Sequence, residues 1–181
     1  QFLYNVLSGV AIAIIAGLIP NAILGELFKV LAPKHEIFQM LLQVVQGIQF
    51  TVPLLVGALI AMRFQLTPLS TAVVASSAFV GSGVAQFKNG AVLLVGVGDL
   101  INTMLTAAIA VFFILVIGER FGSLTLIIMP TFVGVIASFI GLIILPYVQL
   151  ITTGIGNLVN TFTDLQPILM SILIAMVFSF L

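Results

Sequence analysis

The chain has 181 residues, of which 62% are hydrophobic and 6% charged, with a formal net charge of zero. A soluble domain keeps about a quarter of its residues charged, so water is excluded as the solvent for most of this chain, and the balanced charge gives no pull toward nucleic acid. The sequence holds no Cys and one His, which excludes a disulfide frame, a thiolate metal site and a multi-histidine metal centre. Apolar runs follow one another along the chain, and about 20 apolar residues suffice to cross a hydrocarbon core. Phe2 to Leu31 is the first predicted span, interrupted at Pro20-Asn21. Ala32-Pro33-Lys34-His35-Glu36 forms a polar link. Phe38 to Met62 is the second span and ends at Arg63. Leu66 to Val80 is apolar but short and runs into Gly81-Ser82-Gly83, so it is either a third span or a re-entrant hairpin. Ala91 to Ile117 reads as one further span, and Leu124 to Leu150 as the next. A polar stretch, Thr152 to Gln166, precedes the final apolar run from Pro167 to Leu181. That run is too short to finish a crossing, and the chain is expected to be part of a longer one.

The expected fold class is therefore all-α: a polytopic transmembrane helical bundle. Lys29, Lys34, Arg63, Lys88 and Arg120 fall on alternate loops, so the positive-inside rule gives no orientation. An internal repeat is also expected. Pro53 to Phe64 aligns with Pro167 to Phe178, and at the same offset Gln39, Gln43, Gln46 and Gln49 fall on Thr153, Asn157, Asn160 and Thr163. Each polar set then lies roughly on one helix face. Gly17-Leu18-Ile19 before Pro20 is matched by Gly141-Leu142-Ile143 before Pro146. The reading is one membrane domain over 1–181, with a full repeat in 1–120 and the start of a second in 121–181. Repeats of this sort place a solute site between them, commonly on broken or re-entrant helices.

Three groups of residues carry the candidate chemistry. Asp99 stands in an apolar run with Asn102, Thr103 and Thr106 on one helix face, just after Gly96 and Gly98. A carboxylate inside a span is costly and marks a ligand or proton site by default; the other reading is a cap on a half-helix. The amides Gln46 and Gln49, with Asn157 and Asn160, offer donors and acceptors suited to sugar hydroxyls, or serve as interhelical glue. Glu26, Lys34, His35 and Glu36, with Lys29 and Asn21 nearby, form a charged loop that either docks a cytoplasmic partner or is simply wet. No catalytic residue, cofactor or metal is expected: the chain has no phosphate loop of the Gly-Lys-Ser/Thr kind, no Ser/His/Asp arrangement and no paired metal ligands.

Gly17 to Glu26, Gly96 to Thr103 and Ile151 to Asn157 resemble stretches of the membrane permease subunits (enzyme IIC) of the phosphoenolpyruvate-dependent sugar phosphotransferase system. Within that family the chain is most similar to the branch of the perfringolysin O regulator-like proteins. The resemblance implies a bacterial cytoplasmic membrane protein that binds a sugar or a similar polar solute. It also implies a separate or fused IIB subunit that carries the phosphoryl group; a homodimer is a further partner the reading allows. Three functions follow: a sugar permease subunit, a membrane sensor or regulator with a permease-derived fold, and a purely structural membrane subunit.

Overall fold

Pro20 lacks a backbone N–H, and a helix that contains it loses one hydrogen bond. In the computed structural model, which describes residues 1–88, 90–117 and 121–165, helix α1 (Phe2–Pro20) widens at that point into a π-turn, Asn21–Gly25. The helix then resumes as α2 (Glu26–Leu31) and closes with a 3-10 turn, Ala32–Lys34. The predicted interruption of the first span is thus a change of helix type. Residues 1–34 are followed by α3 (Glu36–Phe50) and α4 (Val52–Arg63), bent by 43° at Thr51. The single span expected over Phe38 to Met62 is therefore a broken pair, with Pro53 in the first turn of α4 stopping the helix ahead of it.

The next helix, α5 (Pro68–Gly81), is apolar and has 14 residues. It leads into an antiparallel hairpin, β1 (Ala85–Lys88) and β2 (Ala91–Leu94), in which Ala85 pairs with Leu94 and Lys88 with Ala91. The expectation of one span from Ala91 to Ile117 is corrected here. Ala91–Leu94 is a strand, Gly96 and Gly98 take positive φ, and helix α6 covers only Leu100–Ile117. Val and Leu residues suit a strand as well as a helix, and the turn residue Gly90, with φ +79°, favours the hairpin. A 3-10 turn (Gly122–Leu124), the short α7 (Thr125–Ile128) and a second π-turn (Met129–Gly134) lead into α8, Val135–Leu165. The polar stretch from Thr152 is helical as far as Leu165.

Helices supply almost all of the described structure, as an all-α membrane bundle requires. Among the described residues three helices are long and apolar enough to cross a bilayer: Phe2–Lys34, Leu100–Ile117 and Thr125–Asn157, with the bent α3–α4 pair as a fourth candidate. Contacts divide the chain into Gln1–Leu145 and Pro146–Leu181. Within the first unit α4 is central and packs on α1, α5 and α6. Val52, Val56 and Ile60 of α4, Val74 and Ala78 of α5, and Ala107 and Val111 of α6 are fully buried together. Small residues let the backbones meet, as membrane helices require. A Cβ on Gly9 would lie 2.7 Å from the Ile60 Cα, and one on Gly57 2.7 Å from the Ala75 Cα. The second unit, in its described part, is the continuation of α8 to Leu165. The repeat was to lay residues 39–64 on 153–178, and the part of that comparison beyond Leu165 lies outside the described residues.

Candidate functional site

Where α5 ends, the chain must turn, form the hairpin and return to begin α6, all within apolar surroundings. Ser82 anchors the turn: its Oγ donates to the Phe79 carbonyl at 2.7 Å and accepts from the Val84 N–H at 3.1 Å. Its carbonyl accepts from the Asp99 N–H at 2.9 Å, and the Val95 N–H donates to the Val84 carbonyl at 2.8 Å. Both ends of the hairpin are thereby stitched together. Gly98 makes the closure feasible. It has φ +69°, and a Cβ there would sit 2.8 Å from the Ser82 Cβ and carbonyl oxygen.

Asp99 follows, immediately before α6, and is 7% exposed. Its Oδ1 accepts from the Asn102 N–H at 2.9 Å, an N-cap geometry that satisfies one of the helix's open donors. The negative charge also faces the positive end of the helix dipole. Among the described residues no cation pairs with it, and the sole ion pair is Lys29–Glu26. No hydrogen bond from the described residues reaches its second carboxylate oxygen.

Below the carboxylate lies a layer of polar groups with no exposure at all: Asn102, Thr103 and Thr106. The Asn102 Nδ2 donates to the carbonyls of Gly81, at 2.5 Å, and Gly141, at 2.8 Å, and so ties α6 to α5 and α8. Thr103 Oγ1 donates to the Asp99 carbonyl at 2.6 Å, and Thr106 Oγ1 to the Asn102 carbonyl at 2.8 Å. A Cβ on either Gly81 or Gly141 would run into the Thr106 side chain. The Asn102 Oδ1 is buried and has no hydrogen-bond partner among the described residues.

The structure thus joins Asp99, Asn102, Thr103 and Thr106, as their spacing implied, but at the start of a helix rather than inside one. Both signals seen in the sequence, the cap and the buried carboxylate, occur at once. Gln46 is exposed and Gln49 half-buried on α3, which packs on α1, α2, the first π-turn and α4. They stand in a different packing group from α6. Asn157 and Asn160 are exposed on α8 in the second unit. Glu26, Lys34, His35 and Glu36 are all exposed at one corner, where His35 Nδ1 accepts from the Ile37 N–H at 3.3 Å and caps α3. Three contributors to the junction were not singled out from the sequence: Gly81, Ser82 and Gly141. The Gly81-Ser82-Gly83 triplet at the end of an apolar run is the signal that points to two of them. Cavities of 560 and 470 Å³ elsewhere in the first unit are lined by none of the junction residues.

Comparison with known families settles the class of this membrane protein. The family described as "Phosphotransferase system, EIIC" matches residues 4–181. The chain belongs to that family. It is therefore a permease-like membrane component of the sugar phosphotransferase system, and EIIC proteins work with the system's other components. No curated protein and no solved structure matches the chain.

Proposed function

We propose that this EIIC chain binds a polar solute, a sugar, at the junction between the β-hairpin and α6, with Asp99 as the group that contacts it. The observation that carries the proposal is a carboxylate nearly enclosed in a membrane protein, with one oxygen held by a helix N-terminus and the other taking no hydrogen bond from the described residues. A carboxylate oxygen is an acceptor for sugar hydroxyls, and a charge-assisted bond of this kind is worth about 1.5–3 kcal/mol. Asn102 and Thr103 act as positioning residues, since their side chains hold the cap and the crossing helices. The charged corner of Glu26, Lys34, His35 and Glu36 is the surface proposed to meet a cytoplasmic IIB subunit. The membrane is the bacterial inner membrane.

Asp99→Asn tests the proposal, because Asn keeps the size and is itself a good N-cap. Both forms are purified in detergent, matched for helix content and thermal stability, and titrated with a panel of labelled hexoses and disaccharides. The expected result is unchanged stability with affinity lowered by about tenfold to a hundredfold. Equal affinity would remove Asp99 from the site and leave it as a cap alone. Uptake that depends on phosphoenolpyruvate in membrane vesicles supports a permease. Sugar binding without uptake would make this chain a sensor of the perfringolysin O regulator-like kind.

A further inference from the structure

The segment from Asn21 to Phe50 is longer than a membrane crossing needs. α1 has 19 residues and is about 28 Å long, close to the roughly 30 Å of a hydrocarbon core. α4 runs back beside it: Gly9 faces Ile60, Gly17 faces Val52, and the Phe2 and Phe64 rings lie 4.9 Å apart. Pro20 and Thr51 are therefore at one level, at the end of α1 far from Phe2. Beyond that level, α2 and α3 fold against each other, with the Phe28 and Phe38 rings 6.4 Å apart.

This helical pair has two unlike faces. At about 100° per residue, α2 (Glu26–Leu31) turns Phe28 toward α3, Glu26 and Lys29 to one flank, and Leu27 and Val30 to the other flank and back. α3 turns Phe38 and Val45 inward, Gln39, Gln43 and Gln46 to one flank, and Leu41, Val44 and Ile48 to the other. For an antiparallel pair both polar flanks fall on the same side, so the two apolar sets merge into one surface. That surface is open: Val30 is 70% and Val44 59% exposed. It lies beyond the exposed row of Ile12, Ile15 and Ile19 along α1, which with the π-turn and α2 makes up the apolar stretch Phe2–Lys34.

We infer that residues 21–50 form a two-faced helical arm seated in the lipid headgroup–acyl boundary rather than across the bilayer. Its apolar face rests in the upper acyl chains and its Gln-rich face meets water. Two features choose lipid over a protein partner for the apolar face: its continuity with the exposed apolar row of α1, and the confinement of charge to the Glu26–Lys29 pair on the polar flank and to the Lys34–Glu36 turn. An amphipathic element beyond the end of a crossing helix has its lowest free energy in that boundary.

The chain contains no Trp, so single-Trp variants report their own surroundings. Leu27→Trp, Val44→Trp, Gln43→Trp and, within α1, Ile12→Trp are reconstituted into phosphatidylcholine–phosphatidylglycerol vesicles brominated either near the glycerol end or at mid-chain. Leu27→Trp and Val44→Trp are expected to be quenched at least twofold more by the shallow bromines, with Ile12→Trp showing the reverse. Gln43→Trp is expected to respond to aqueous iodide and little to either lipid. If any of these fails to fold, Val30→Trp supplies the same readout. Mid-chain quenching of Val44→Trp equal to that of Ile12→Trp would mean that the arm crosses. Quenching of Val44→Trp by iodide would place it in water. Protection from both lipid and iodide would mean that a protein, such as a second copy, covers it. Each of these three overturns the inference, and none bears on solute binding at Asp99.

Discussion

Thr106 fills the space that two glycines leave. Its side chain lies where a Cβ on Gly81 or on Gly141 would have to go, and Asn102 one turn earlier donates hydrogen bonds to both glycine carbonyls. Gly141→Ala is therefore expected to destabilise the detergent-solubilised protein by about 1–3 kcal/mol, the usual cost of overpacking. Thr106→Ala alone is expected to cost less, and the double variant to recover most of the Gly141→Ala loss. Thermal unfolding of the four forms reads the coupling, and additive losses would show that the two side chains do not compete for space. Much of this cluster was legible in the sequence, because Asp99, Asn102, Thr103 and Thr106 are polar letters in an apolar run at helical spacing. Their partners were not. Asn102 bonds to backbone carbonyls, which every residue has and no letter marks, and Gly141 lies 39 positions away.

At the scale of elements, the junction depends on the path between β2 and α6. Gly96 and Gly98 both have positive φ, but only Gly98 is crowded, against Ser82. A left-handed backbone costs a non-glycine residue about 1–2 kcal/mol. Gly96→Ala is expected to lower stability by about that amount. Gly98→Ala is expected to lower it further and to loosen the Asp99 cap. Hydrogen exchange at the Asn102 amide measures the second effect, and equal protection in both variants would show that Gly98 does not set the cap. The helices were largely readable from apolar run length, and the break at Pro20 from proline chemistry. The hairpin was not, because a four-residue apolar strand has the same letters as the first turn of a helix. The bend at Thr51 was hidden in the same way, since Pro53 in a first helical turn and Pro53 inside one long span look alike until the backbone is seen.

For the whole molecule, the close approaches give a layout that can be tested from either side of a membrane. Gln65 and Gly122 line one cavity, so the α4–α5 turn and the turn after α6 share an end of the first unit. The hairpin lies at the other end of α5 and α6, and Lys34 lies past the end of α1 that is far from Phe64. The chain has no Cys, so Gln65→Cys, Gly122→Cys, Gly90→Cys and Lys34→Cys can each be labelled singly with an impermeant maleimide in sealed vesicles. The first two are expected to react from one side and the last two from the opposite side. Labelling of Gln65→Cys and Gly90→Cys from the same side would refute this layout. The contacts that hold the layout, Gly9 on Ile60, Gly57 on Ala75 and Thr106 between two glycines, have a thermodynamic corollary. When such helices separate in a bilayer, they exchange protein neighbours for acyl chains, and little apolar surface becomes hydrated. The large positive heat capacity of unfolding that bends the stability curve of a soluble protein arises from that hydration. Here its source is largely missing, so the free energy of helix separation should vary almost linearly with temperature, with no return toward unfolding in the cold.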